Sequence, residues 1–282
     1  MNYSPIDLHC HSLASDGSLS PSDVVARAAE RDVKLLSLTD HDTVAGQEEA
    51  MIAARSAGIS MVAGIELSCV WNGFTIHVLA YDYSFDNGVM HALEKKQLNS
   101  RVKRAELIAE RLSNKGFPDL LSSAKSLSQS GIPGRPHFAQ AMIDHELVSD
   151  HAEAFKKYLG AGKIGDVKSL WPDISEIVED IRASGGMAVV AHPRKYNMTL
   201  TKLRKMLAQF KESGGEGIEV ITSGQKQGEV GMLSDLCLRM ELKGSQGSDF
   251  HTPKYPWAEL GRIPSLPKSV TPVWQEWEVF QA

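Results

Sequence analysis

Residues 6–42 read IDLHCHSLASDGSLSPSDVVARAAERDVKLLSLTDHD, and they carry the pattern on which the rest of the chain is built. Ile6–Leu8 is a short apolar run that ends in His9-Cys10-His11, with Asp16 five residues on. Ser20-Pro21-Ser22-Asp23 follows: an N-cap serine, proline at the first helical position and an acid in the first turn. Val24, Val25, Ala28 and Ala29 then repeat at helical spacing, and Leu35–Leu38 leads into Thr39-Asp40-His41-Asp42. The unit is strand, helix, strand, with histidines and acids where each strand ends.

The unit recurs. Met61–Leu67, Phe74–Ala80, Met187–Ala191, Ile218–Ile221 and Ser245–Ser248 read as further strands. Thr43–Ala57 and Asp173–Ser184 read as helices, with Gly58 and Gly185 at C-cap positions. Such alternation predicts an α/β fold with a mainly parallel sheet or barrel. Residues 89–167 break the rhythm: Met90–Lys115 is a long charged helical pattern, and more helical sequence ends at Gly160-Ala161-Gly162-Lys163. Ordinary connections in such folds span only a few residues, so 89–167 is expected to be a helical insertion capping a barrel formed by 1–88 and 168–282. The Gly160–Lys163 segment lacks P-loop spacing.

Chemistry-bearing residues gather at strand ends. Glu66 sits in Gly64-Ile65-Glu66-Leu67-Ser68, His77 in the fourth strand, His192 in Ala191-His192-Pro193, and Asp249 and His251 in Gly247-Ser248-Asp249-Phe250-His251. A lone strand histidine such as His77 carries no signal by itself, but the distributed set does. In parallel barrels the C-terminal rim is where ligands from distant segments converge. Side chains at i and i+2 of a strand share a face, so His9 with His11, and Asp249 with His251, can each reach one ion. Imidazole and carboxylate without thiolate suit Zn, Mn or Fe. Asp40 and Asp42 flank His41, where carboxylates commonly orient a ligand, and Asp7 can do the same for a neighbour.

The bulk properties exclude other classes. The chain has 282 residues, 42% hydrophobic and 23% charged, with net charge −5, which is too acidic for a general nucleic-acid coat protein. Cys10, Cys69 and Cys237 form no C-x-x-C, so neither a zinc ribbon nor a redox dithiol is expected, and free thiols fit a reducing compartment. No signal-peptide pattern or membrane-length apolar run is present, so a cytoplasmic location without membrane contact is expected. Lys95, Lys96, Arg101, Lys103, Arg104 and Arg111 make a basic stretch in an acidic protein; Arg101 and Arg104, three apart, share a helix face. Gly134-Arg135-Pro136-His137 adds a rigid loop with a second cationic group, and Arg194 follows His192-Pro193. Arginine forks suit phosphate.

The motifs D-L-H-C-H-S…D-G-S, T-D-H-D, G-I-E-L-S, the strand histidine, A-H-P and G-S-D-x-H span positions 7 to 251, and together they resemble the PHP (polymerase and histidinol phosphatase) family. The resemblance implies a distorted (β/α)7 barrel and two or three divalent ions, Mn2+ first, with Fe2+ or Zn2+ also compatible. It implies a first ion on His9, His11, Glu66 and Asp249, a second on Glu66, His77 and His192, and a third on Asp16, His41 and His251. Asp16, where some relatives have histidine, looks like the subgroup with a helical insertion, which includes 3′,5′-nucleoside bisphosphate phosphatases and related 5′→3′ exoribonucleases. The expected activity is metal-dependent phosphoester hydrolysis of a small phosphorylated nucleotide or short RNA 5′ end, with no obligatory protein partner. Asp16, Asp40 and His41 are the candidates for catalytic proton handling. Arg101, Arg104, Arg135, His137 and Arg194 are the candidates for substrate binding. Hydrolysis of another small monoester such as histidinol phosphate, or a non-catalytic metal-binding module, are the alternatives.

Overall fold

The computed structural model describes residues 3–85, 88–168 and 170–277; the remaining positions of the expected segments, including 278–282, lie outside the described residues. The chain runs β1 Ile6–Asp7, α1 Pro21–Glu30, β2 Leu35–Leu36, α2 Gln47–Ala57, β3 Ser60–Met61, β4 Gly64–Trp71 and β5 Phe74–Tyr81. Helices α3 Val89–Ser113, α4 Leu120–Leu127, α5 Arg135–Asp144 and α6 His151–Ala154 follow, then α7 Ile174–Ala183. It closes with β6 Met187–Val190, α8 Leu200–Glu212, β7 Gly217–Thr222, α9 Glu229–Met240 and β8 Lys243–Gly247.

Local chemistry sets the helix ends. Ser20 Oγ accepts from the Asp23 amide at 3.1 Å, which caps α1 and lets Val24, Val25 and Ala28 face inward. Asp173 caps α7 by accepting from the Ser175 amide at 2.9 Å, and Ile174, Ile177, Val178 and Ile181 form its buried stripe. Helix α2 begins later than the sequence suggests. Glu94 of α3 accepts from Thr43 Oγ1 at 2.7 Å and the Val44 amide at 2.8 Å, so residues 43–46 are held as a loop against α3.

The strands form a mixed α/β fold of two sheets. One is parallel, ordered β1-β2-β3; the other is ordered β4-β5-β6-β7-β8. Isolated parallel bridges, Cys10 to Phe250 and His41 to Glu66, tie the two sheets together on both sides. The expectation of a mainly parallel arrangement needs correction at β4–β5–β6, where both pairings are antiparallel. The cause is readable: Trp71 pairs with Phe74 around Asn72 (φ 44°) and Gly73 (φ 77°), a two-residue hairpin turn that needs positive φ at both positions. The run read as one strand, 61–67, also splits into β3 and β4. Gly64 crosses so close to β2's continuation that a Cβ there would lie 2.0 Å from Ser37 Oγ.

Burial divides into a large core around β4–β8 and a separate apolar cluster drawn wholly from residues 105–167, with Ile108, Leu112, Phe138 and Met142 at its centre. On α3 the buried face includes two polar residues, Gln97 and Arg104. Among the described residues no helix is long and apolar enough to cross a membrane. All three cysteines are buried and unpaired.

Candidate metal centre

The residues after β1 and β8 are stitched together by backbone. The Asp249 amide donates to the His9 carbonyl at 2.8 Å, and the His11 amide to the Phe250 carbonyl at 2.8 Å. Strand alternation then sends His9 and His11 to one side, with ring centroids 5.2 Å apart, while Cys10 packs into the apolar cluster of Val24, Leu36 and Leu38. The His41–Glu66 bridge brings the second strand's loop to the same place.

Glu66 is the hub. Its Oε1 lies 2.9 Å from His77 Nδ1 and 3.0 Å from His192 Nε2. Its Oε2 lies 3.3 Å from His9 Nε2, 3.3 Å from His11 Nε2 and 3.0 Å from His41 Nδ1. Asp249 Oδ1 stands 3.5 Å from His9 Nε2 and 3.3 Å from His11 Nε2. Asp16 faces His251 Nε2 at 3.4 Å and His41 Nε2 at 3.9 Å. All nine ligand candidates therefore meet.

The donor set fits divalent cations. His9 Nε2, both nitrogens of His11, His41 Nδ1 and Glu66 Oε2 are buried and make no hydrogen bond among the described residues, although they face one another. Apposed lone pairs of this kind are costly unless a cation joins them. Four groupings bring ligand atoms within 4.8 Å: His11, Asp16, His41 and His251; His9, Glu66 and His192; His9, His11 and Asp249; His41, Glu66 and His77. Burial opposes ionisation of Glu66, yet His41, His77 and His9 outweigh it and hold the carboxyl well below its usual range. Asp249 is held low against burial by Lys195 and His9, and Asp16 by His41 and His251. Burial, with His251 nearby, drops His11 to about 3, and burial drops His77 to about 4, so both rings are neutral and can donate a lone pair.

The flanking acids act on the backbone rather than on the His41 ring. Asp40 accepts from the Ser12 amide at 2.8 Å, Ser12 Oγ at 2.7 Å and Ser15 Oγ at 2.6 Å, so it anchors the loop that carries Asp16. Those bonds fix Asp40 behind the Asp16 loop, and it is in none of the ligand groupings. Asp42 accepts from the Ser68 amide at 2.6 Å and from Arg101 Nε at 2.6 Å. Asp7 accepts from the amides of Ser248 at 2.8 Å and Gly261 at 3.0 Å, holding the β8 end against β1.

The sequence reading passed over Glu219. This fully buried acid of β7 accepts from His9 Nδ1 at 2.9 Å and from the His192 amide at 2.7 Å. It sets the His9 tautomer, leaving Nε2 as donor to the cluster, and steadies His192 in left-handed backbone (φ 25°). A signal existed: an acid inside the otherwise apolar run Gly217-Ile218-Glu219-Val220-Ile221.

Beside the cluster lies a basic cavity of about 170 Å3, lined by Asp16, His41, His77, Arg101, Arg104, Arg135, Phe155 and Trp171. Arg101 and Arg104 do share a helix face: their guanidiniums stand 5.8 and 5.5 Å from the Trp171 ring centre. Arg104 donates to the Val167 carbonyl at 3.0 Å, and Arg135 to the Leu159 carbonyl at 3.2 Å. Burial, then Arg135 and Arg101, lower Arg104 to about 9, the mark of cations crowded together short of anions. Trp171 Nε1, buried here, has no hydrogen-bond partner among the described residues. A second cavity, about 280 Å3, opens on the other side of Arg101 and includes Asp16, His41 and His137. His137 Nδ1 accepts from the Gly134 amide at 3.0 Å. Arg194 is not brought to the site. It pairs with Glu229 at 3.2 Å and lines neither cavity; the adjacent Lys195 contacts Asp249 instead. Three further histidines bond elsewhere: His91 with Glu94, His145 with Ser123 and His151 with Gln140.

Comparison with known proteins agrees with this geometry. The chain is 43% identical over 270 residues to a 5′-3′ exoribonuclease of Haemophilus influenzae, covering 96% of this chain and 98% of that one. It is 35% identical to the 3′,5′-nucleoside bisphosphate phosphatase of Chromobacterium violaceum, covering 97% and 96%. A solved structure of an amidohydrolase from Chromobacterium violaceum with bound sulfate superposes with TM-score 0.90 at 35% identity, over 97% of this chain and 95% of that one. The PHP domain pattern matches residues 7–223, and the chain belongs to the PHP domain family.

Proposed function

We propose that this protein is a metal-dependent phosphoesterase that removes the 3′-phosphate of nucleoside 3′,5′-bisphosphates and trims short 5′-phosphorylated RNA from its 5′ end. The observation that carries the reading is the junction of two opposite environments. A carboxylate–imidazole cluster that wants cations and an arginine cavity that wants an anion meet at Asp16, His41 and Arg101. The relatives named as bisphosphate phosphatase and exoribonuclease support it.

In this reading the two bridged sheets are a distorted (β/α)7 barrel, and residues 89–167, with their own apolar cluster, are the inserted cap that brings the arginines to the rim. His9, His11, Glu66 and Asp249 would hold one ion, Glu66, His77 and His192 a second, and Asp16, His41 and His251 a third, with Mn2+ the leading candidate. Such ions lower the pKa of water and offset charge on the phosphoryl oxygens.

The protein's own groups supply position and proton control. Arg104 and Arg135, with the unpaired Trp171 N–H, bind the 5′-phosphate that is not cleaved. That anchor sets the 3′-phosphate over the cluster. Water attacks phosphorus, the P–O3′ bond breaks, and the ribose 3′-oxygen gains a proton. Asp16, which lines both cavities, is the group best placed to pass it. The same bond breaks whether the 3′-phosphate is terminal or joins a second nucleotide. In the second case the RNA left behind carries a new 5′-phosphate and is again a substrate.

The purified protein loaded with Mn2+ should release phosphate from adenosine 3′,5′-bisphosphate and mononucleotides from 5′-phosphorylated RNA. Neither product appearing, or faster hydrolysis of histidinol phosphate than of both, would overturn the assignment.

A further inference from the structure

If the RNA reading holds, the chain beyond the attacked phosphate must leave the cluster away from the arginine cavity, since its first nucleotide is anchored there. The segment after β8 brings Asp249 and His251 to the cluster, Lys195 contacts Asp249, and none of these three lines the arginine cavity. Four residues after His251 the chain reaches Tyr255, at most about 14 Å away along an extended backbone. Tyr255 and Trp257 are stacked, with centroids 5.0 Å apart and planes 29° from parallel. They are 41% and 66% exposed, and Trp257 is the most exposed large apolar side chain among the described residues.

The fold does not explain this exposure, because a tryptophan left in water forgoes its burial energy. The turn does explain the rigidity. The Tyr255 amide donates to the Thr252 carbonyl at 3.2 Å, the Ala258 amide to the Tyr255 carbonyl at 2.9 Å, and Pro256 stiffens the link between the rings. Trp257 also walls a cavity of about 310 Å3 beside the loop that follows β7, with Gln225, Lys226 and Arg262. Among the described residues, Lys226, Arg262 and Lys254 enter no ion pair, in contrast to Arg194 and Lys195 next to the cluster.

We propose that Tyr255 and Trp257 form a stacking platform for the downstream bases of single-stranded RNA, with Lys226, Lys254 and Arg262 meeting its phosphates. Preset aromatic faces flanked by free cations bind single strands without regard to sequence, and each base stacked strengthens binding about five- to a hundredfold. The platform gives the enzyme a way to prefer an RNA end over a free bisphosphate, which is too short to reach the rings.

The test compares Mn2+-loaded wild type with Y255A/W257A and W257F on adenosine 3′,5′-bisphosphate and on 5′-phosphorylated oligoadenylates of two to ten nucleotides. The double variant should raise KM for the longer RNAs at least about fivefold relative to the bisphosphate, with little change in kcat, and W257F should retain most of the wild-type preference. Intrinsic tryptophan fluorescence should fall further on titration with oligoadenylate in wild type than in W257F, where only the change at Trp171 remains. The platform is refuted if the RNA-to-bisphosphate ratio of kcat/KM is the same in all three proteins, or if the double variant changes only the oligomeric state. Absence of hydrolysis of both substrates by wild type would instead remove the functional reading on which it rests.

Discussion

The rim cluster and the arginine cavity are neighbours built on opposite principles. In the cluster, buried carboxylates stay ionised because histidines surround them, and buried nitrogens of His9, His11 and His41 have no hydrogen-bond partner among the described residues. In the cavity, guanidiniums crowd until burial and mutual repulsion lower Arg104 and Arg135, and their hydrogen bonds go to backbone carbonyls while that of Arg101 goes to Asp42. Each region is unfavourable alone, and each is relieved by what the other's ligand carries. In the proposed function, cations complete the first and a phosphate completes the second. A substrate with two phosphates one ribose apart answers both at once.

That contrast can be broken from either side. The largest effect is expected from Glu66→Gln, which removes the negative charge of the hub while keeping its shape. Metal content by mass spectrometry should drop, and kcat should fall by more than the roughly 10–100-fold typical of losing an outer partner. Retained metal and activity would show that the hub is merely structural. On the cavity side, Arg135→Ala removes a charge-assisted bond of about 1.5–3 kcal/mol, so KM for the bisphosphate should rise about 10- to 150-fold. Hydrolysis of a simple aryl monophosphate should barely change. Equal losses on both substrates would mean that Arg135 does not read the second phosphate.

Smaller effects sharpen the same contrast. Glu219→Gln keeps the hydrogen bond but not the charge behind His9, and metal affinity should weaken about 10–100-fold, read by competition with a chelating dye. Proton release gives a further test. Burial opposes protonation of His251, but Asp16 and Asp249 outweigh it and raise the ring to about 9. Below pH 9 the metal-free protein keeps that proton, and an ion must displace it. Affinity should therefore climb as pH rises toward 9, by at most about tenfold per unit, and level off above. Calorimetry in buffers of different ionisation heat counts the proton; no release would mean that His251 is not a ligand. Trp171→Phe deletes one neutral donor, and KM for the bisphosphate should rise only about two- to tenfold.

Much of the candidate metal centre was legible because ligands need specific atoms at strand ends, and His9, His11, His41, Glu66, His77, His192, Asp249 and His251 stand in such contexts. The cavity was legible only in part. Arg101 and Arg104 were readable from helical spacing, but Trp171 carried no local signal, since its place in the cavity comes from two arginines on a different segment. Arg194 failed for a related reason: adjacency to His192 says nothing about direction, and Glu229 draws it outward. The anchoring of Asp40 was not readable, because its three hydroxyl and amide donors, two of them from Ser12, come from 25 and 28 positions away. The antiparallel hairpin was missed although Asn72-Gly73 announced it.

What the residues alone determined is the set of donors and the periodic rhythm that carries them, because strand alternation and helix capping act within a few positions. What only the tertiary structure decided is direction and partnership. Glu219 reaches His9 across 210 positions, and Arg101 reaches Asp42 across 59. Charges meet through space, and the energy of burying one depends on its neighbours in three dimensions rather than on its neighbours in the chain.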